Sequence, residues 1–150
     1  MVEVYAPPQT AASVQENPAL TTAAEIVFSG WGAPRMDDEF LDAAGKLQVV
    51  FYGAGSVKRM VSEALWKRGI VVTSSWGANA IPVVEYTLAQ ILFSLKHGWR
   101  FALTIKHDGR YPRKDPVPGA YGSTVAIISL GMIGRGVCEQ LKRFDVKVIA

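Results

Sequence analysis

The chain has 150 residues, 49% of them hydrophobic and 19% charged, with 16 basic residues against 13 acidic ones. That is an ordinary globular composition, long enough for one domain or parts of two, and a net charge of +3 is too small an excess to argue for a nucleic-acid partner. The single cysteine, Cys138, rules out an internal disulfide, and no Cys/His cluster offers a structural zinc site.

The first ten residues, MVEVYAPPQT, lack the basic segment and apolar run of a signal peptide. Val2–Tyr5 is a short β-prone piece. Residues 6–24 are polar, broken by Pro7, Pro8 and Pro18, and show little helical or strand periodicity. Glu25–Ser29 reads as an apolar strand and residues 30–34 as a turn. Asp37 or Asp38 can N-cap a helix over 38–47, with Phe40 and Leu41 facing inward. LQVVFY, residues 47–52, is a continuous apolar strand of the kind buried on both faces of a parallel sheet. It runs into Gly53-Ala54-Gly55-Ser56, then a helix over 57–69 stopped by Gly69. Residues 70–75 form a third strand, and WGANAIP, residues 76–82, reads as a loop. A long amphipathic helix follows over 83–109, bent near Gly98, and a Pro/Gly-rich link over 110–122. Residues 80–95 carry Glu85 and Gln90 and read as too short and too polar to cross a membrane. A reducing, cytoplasmic setting is expected, with neither membrane nor nucleic acid as a partner.

The last 28 residues, STVAIISLGMIGRGVCEQLKRFDVKVIA, read as strand, glycine turn, helix and strand. Strands alternating with helices through short turns predict an α/β protein built from parallel βαβ units. In such units ligands sit at the carboxyl ends of strands, near helix N-termini. The dinucleotide fingerprint is G-x-G-x-x-G, and here it is Ser129-Leu130-Gly131-Met132-Ile133-Gly134. Gly131 would let backbone approach a pyrophosphate, Gly134 would let the helix pack closely on its strand, and the N–H groups of Met132 and Ile133 would face the phosphates. Ser129 replaces the first glycine, and fits if its φ is negative. A tight turn without a ligand is the competing reading. The fingerprint's ribose-binding acid belongs at the end of the next strand, where this sequence stops at Ala150, so the chain is expected to be a fragment.

Three blocks together, FYGAGS, RGIVVTSSWGANAIPVVEYTLAQIL and the closing 29 residues from Gly122, resemble the D-isomer-specific 2-hydroxyacid dehydrogenases in order and spacing over about 25–150. The resemblance implies two Rossmann-like domains with parallel sheets: an incomplete, flavodoxin-like substrate domain over 1–78, then a linking helix and the start of a dinucleotide-binding domain over 79–150. It implies NAD or NADP as cofactor, hydride transfer to or from a small 2-hydroxy or 2-keto acid, and a homodimeric parent. By the same resemblance the backbone N–H groups of Gly53, Ala54 and Gly55 hold the substrate carboxylate and Asn79 faces the substrate. Val83 packs near the nicotinamide, and Gly131, Met132, Ile133 and Gly134 form the pyrophosphate turn. The family's catalytic Arg, Glu and His lie downstream of that turn, so no catalytic residue is expected here and the chain alone is expected to be inactive. Many members also carry an Asp shortly after the glycine loop, where this sequence has SVKRM. A nicotinamide-binding corepressor of the same fold is the alternative from another functional class.

Several residues admit two readings. GAGS is a phosphate nest or a plain βα turn. Asn79 is a cleft residue or a loop Asn bonded to local backbone. Glu85 is a general base or, as expected, a structural residue hydrogen-bonded to nearby backbone. His97 and His107 lack partner acids and read as ordinary helix residues near the surface, and Cys138 as a small packed residue. Lys96, Arg100, Lys106, Arg110, Arg113 and Lys114, interleaved with Trp99, Phe101 and Tyr111, form a single-strand nucleic-acid surface or the solvated face of the long helix. The solvated face is the expected one.

Overall fold

The computed structural model describes residues 3–4, 6–112 and 116–150. The chain divides into two compact units, Met1–Asn79 and Ala80–Ala150. Glu3 and Val4 carry no regular structure, and Val2 and Tyr5 lie outside the described residues.

In the first unit, β1 (Ile26–Ser29), β2 (Val49–Tyr52) and β3 (Val71–Ser74) form a parallel sheet in the order β1-β2-β3. Ile26, Val49 and Val71 lie in register, as do Phe28, Phe51 and Thr73. Each crossover carries a short helix, α2 (Asp38–Ala43) and α3 (Glu63–Lys67). Asp37 caps α2 through its carboxylate and the Phe40 N–H, and Ser62 caps α3 through its hydroxyl and the Leu65 N–H. Both satisfy N-terminal donors that a short helix would otherwise leave to water. Helices and sheet enclose a core of Met36, Leu41, Leu47, Val50, Met60, Leu65 and Ile70, with Phe40 packed against it. Arg68 ties the two helices together, donating to the Leu41 carbonyl at 2.6 Å and to the Asp42 carboxylate at 2.5 Å.

Four expectations change in this unit. The polar stretch forms α1 (Ala11–Glu16), with a reciprocal capping box between Thr10 and Ser13, and a 3-10 turn over Pro18–Thr21. The prolines flank these short pieces rather than preventing them. The helix read over 38–47 ends at Ala43, because the chain must turn to enter β2. The helix read over 57–69 begins only at Glu63: Val57 accepts from Met60 and Val61 in a turn, and Met36 bonds Met60 at 2.8 Å, pulling that segment out of helix. Gly69 does end it, with φ 69°. β2 is not buried on both faces. Val50 and Tyr52 point into the core, while Phe51 is 40% exposed and stacks on Phe28, 68% exposed, at 5.2 Å. The two crossover helices, α2 and α3, pack into the same core on one face, so side-chain alternation divides an all-apolar strand into an inner and an outer row.

The helix α4 (Trp76–Leu95) spans the division between the units. It begins where the sequence reads as a loop. Ser75 already accepts the Asn79 N–H at 2.9 Å, and Pro82 lies inside the helix. Pro82 forfeits one backbone bond, a loss the remaining turns of a 20-residue helix outweigh. By length and composition alone the 20-residue α4, with a mean hydropathy of 1.2, is long and apolar enough to cross a membrane, a longer span than the residues 80–95 read from the sequence.

The second unit pairs β4 (Ser123–Ala126) in parallel with β5 (Val146–Ile149) through α6 (Met132–Leu141). Val125, Val137 and Leu141 are its buried centre, and Val84, Leu88, Ile91 and Leu95 of α4 pack on it. Gly136 sits where a Cβ would come 2.7 Å from Val84 Cγ2, so the α4–α6 contact needs a residue without a side chain. The long helix is broken rather than bent. His97 takes φ 54°, and α5 (Gly98–Asp108) starts afresh after it. At Gly98 a Cβ would come within 2.4 Å of the Phe93 ring, which would have to swing aside for a larger residue at the break.

Candidate functional site

The sequence-predicted residues fall into two clusters, one in each unit.

In the first unit, the chain leaves β2 through Gly53, Ala54 and Gly55. The Ser74 hydroxyl, at the end of β3, lies 2.9 Å from the Ala54 carbonyl and 2.6 Å from that of Gly55. Both carbonyls are thereby turned toward β3. The Ala54 side chain is buried in the core. Asn79, in the first turn of α4, meets this loop: a Cβ on Gly55 would lie 3.2 Å from Asn79 Nδ2. The structure therefore brings Gly55 and Asn79 together, with Asn79 in a helix and not in a loop. The three loop N–H groups are not equivalent. Gly53 donates to the Ser29 carbonyl at 2.7 Å, extending the sheet ladder, and is not free for a carboxylate. Among the described residues the N–H groups of Ala54, Gly55 and Ser56 have no acceptor. The donors left open are therefore those of 54–56, one residue later than the 53–55 that the resemblance implies. Ser74 was missed in the sequence because a serine ending a strand carries no pattern.

In the second unit, Ser129 through Gly134 join β4 to α6. Gly131 is the N-cap of α6, with extended backbone and no side-chain cap. The first turn holds no acidic residue. Uncapped N–H groups and the positive helix end thus face outward together. A Cβ on Gly131 would meet nothing within 4 Å, leaving space above the turn, whereas a Cβ on Gly134 would lie 2.1 Å from the Ser129 carbonyl oxygen. These are the two distinct demands of the dinucleotide fingerprint. Met132 and Ile133 follow as the first helical residues, both exposed. Ser129 does not adopt a negative φ: it sits at φ 78°, the conformation a glycine would take without strain. The close approach of its carbonyl to Gly134 sets the turn, and the serine bears the cost. Arg135 donates from Nε to the Leu130 carbonyl at 2.7 Å, a contact that nothing in the sequence announces.

Val83 is half-buried on α4, its carbonyl accepting from the Thr87 hydroxyl at 2.7 Å. Glu85 is exposed and its side chain makes no hydrogen bond among the described residues, against the expected backbone contact. His107 is exposed near the end of α5, as expected. His97 is not an ordinary surface helix residue: it holds the break before α5, and its buried Nδ1 has no partner among the described residues. Of the basic cluster, Lys96, Arg100, Lys106 and Arg110 are exposed, and Arg113 and Lys114 lie outside the described residues. A groove of about 340 Å³ beside β4, reached by Thr87, Ile91 and Val125, contains none of these residues and no titratable side chain. Among the described residues no His/Cys/Asp/Glu group could hold a metal ion.

No family model matches the sequence. Human D-3-phosphoglycerate dehydrogenase is 30% identical over 118 residues, 78% of this chain and 22% of that protein. A Granulicella formate dehydrogenase superposes with a TM-score of 0.64 at 30% identity, over 86% of this chain and 35% of its own. The chain belongs to the D-isomer-specific 2-hydroxyacid dehydrogenase family. An Aquifex aeolicus D-lactate dehydrogenase, solved with NAD and lactic acid, shares the fold at a TM-score of 0.68 and 21% identity, over 90% of this chain and 41% of its own. The chain thus spans between about a fifth and two fifths of these relatives. Both relatives at 30% identity are dehydrogenases by name.

Proposed function

We propose that this chain contributes the carboxylate-binding loop and the pyrophosphate turn of an NAD(P)-dependent oxidoreductase acting on a 2-hydroxy or 2-keto acid. The observation that carries the reading is the turn before α6, where Gly131 is open to an approaching ligand and Gly134 admits no side chain. Its uncapped N–H groups and the absence of an acid in the first turn suit a diphosphate. The relative solved with NAD and lactic acid supports the same pairing of cofactor and substrate class.

Met132 and Ile133 would donate their N–H groups to the diphosphate, and Val83 would offer an apolar wall to the nicotinamide. Ala54, Gly55 and Ser56 would hold the substrate carboxylate, oriented by Ser74, with the Asn79 amide beside them. When bound, the nicotinamide supplies or accepts the hydride. The proton-transferring and carboxylate-clamping side chains of the family are not among these residues, so the whole enzyme, proposed to be a homodimer, would provide them from elsewhere.

The test is a titration of the ¹⁵N-labelled chain with NADH, ADP-ribose and adenosine. NADH and ADP-ribose should shift the amide resonances of Gly131–Gly134 in the same direction, and adenosine should not. If no phosphate-bearing ligand moves those resonances, the turn is a plain βα connection and the reading fails.

A further inference from the structure

We infer that Arg135 is a positioning residue that holds the serine form of this turn in its anion-accepting conformation, compensating for the missing first glycine. The role concerns the free turn, and its consequence for ligand binding rests on the nucleotide reading above.

The argument begins at Ser129. An L-residue at φ 78° is disfavoured because its Cβ crowds the backbone. It persists only where neighbouring interactions over-determine it. Few are available. The sheet ladder ends at the Ile127 N–H, which donates to the Ile149 carbonyl at 2.8 Å, and the helix begins with the Arg135 N–H bonding Gly131. Among the described residues, the one hydrogen bond made by residues 128–130 is the 2.7 Å contact from Arg135 Nε to the Leu130 carbonyl. It stands in for the backbone bond that the Leu130 carbonyl would accept if the helix started one residue earlier. It also comes from an ionised donor, the stronger kind.

The position of Arg135 points the same way. A cation in the first turns of a helix opposes the positive helix end, and no acidic residue there offsets it. For α6 itself Arg135 is a poor choice. For the turn it is a fastener that reaches back from rigid helix across the strained residue. Gly134 explains why the turn cannot relax otherwise, since the Ser129 carbonyl is wedged against its Cα.

The experiment uses the whole chain in five forms: unaltered, Arg135→Gln, Ser129→Gly, those two combined, and Arg135→Lys as the conservative control. In the unaltered chain the ¹⁵N order parameters of Ser129 and Leu130 should match rigid backbone, about 0.85, and fall below about 0.6 in Arg135→Gln. Val137 and Leu141 should stay unchanged. Arg135→Lys should recover part of the loss. With NADH as the probe, Arg135→Gln should weaken binding by about fivefold in the serine chain and by less than about twofold when combined with Ser129→Gly, the span of one hydrogen bond. Order parameters unmoved by Arg135→Gln would overturn the inference, and so would an equal NADH effect in both backgrounds. If the order parameters fall as expected but NADH perturbs no form of the chain, the positioning role stands and the nucleotide reading alone fails.

Discussion

Gly134→Ala tests whether the closed side of the turn is set by sterics. The new Cβ would lie 2.1 Å from the Ser129 carbonyl oxygen, where carbon and oxygen ordinarily approach to about 3.3–3.6 Å. Something must therefore move by more than about 1 Å, and the obstacle is backbone, not the end of a flexible side chain. Overpacking of this kind costs about 1–3 kcal/mol. Against it stands the better helix propensity of Ala, at most about 1 kcal/mol and less at the third helical residue. The net expectation is a loss of about 1–2 kcal/mol, a fall of roughly 4–16 °C in Tm for a unit of this size. Gly131→Ala is the internal control. Its Cβ meets nothing within 4 Å and its φ is −69°, so the fold should lose almost nothing. NADH binding should weaken instead, because the methyl fills the space above the turn. The assay is urea denaturation of both variants, with amide exchange at Val125, Val137 and Leu141 reporting the second unit. A Gly134→Ala chain as stable as the original would refute the steric reasoning.

Ser74→Ala should free the Ala54 and Gly55 carbonyls, destabilising the first unit by about 1 kcal/mol and raising the backbone mobility of 53–56, as read by ¹⁵N relaxation. An undisturbed loop would mean that the core packing of Ala54 alone sets its shape. Lys142 has its pKa raised from 10.5 by its hydrogen bond and charge interaction with Glu139. Whatever the pair contributes is present at neutral pH and lost as pH rises through the raised value; because the group is fully exposed, Lys142→Gln should leave Tm at pH 7 unchanged within error. Incubated with NADH and a panel of 2-keto acids, the 150-residue chain should show no oxidation of NADH above a heat-treated control, and any turnover would mean that the proton-transferring group lies within it.

The parts legible in the sequence are those fixed by neighbouring residues. Asp37 caps a helix because its carboxylate reaches an N–H three residues on. Gly69 ends one because it tolerates φ 69°. The strand–turn–helix–strand at 123–149 is visible because apolar runs, glycine spacing and helical periodicity agree over a short span, and the family's glycine turn lies entirely within it. Other features depend on what arrives from far along the chain, and only the tertiary structure decided them. Met36 bonding Met60 shortens α3, and helices on one side of the sheet leave Phe28 and Phe51 in the open. Ser29 takes the Gly53 N–H, which moves the free donors to 54–56, and Ser74 turns the neighbouring carbonyls away. The sign of φ at Ser129 belongs to the same class. Composition allows either sign for a serine; the folded turn takes the positive one, with its carbonyl against Gly134, and a guanidinium six residues later helps to hold it.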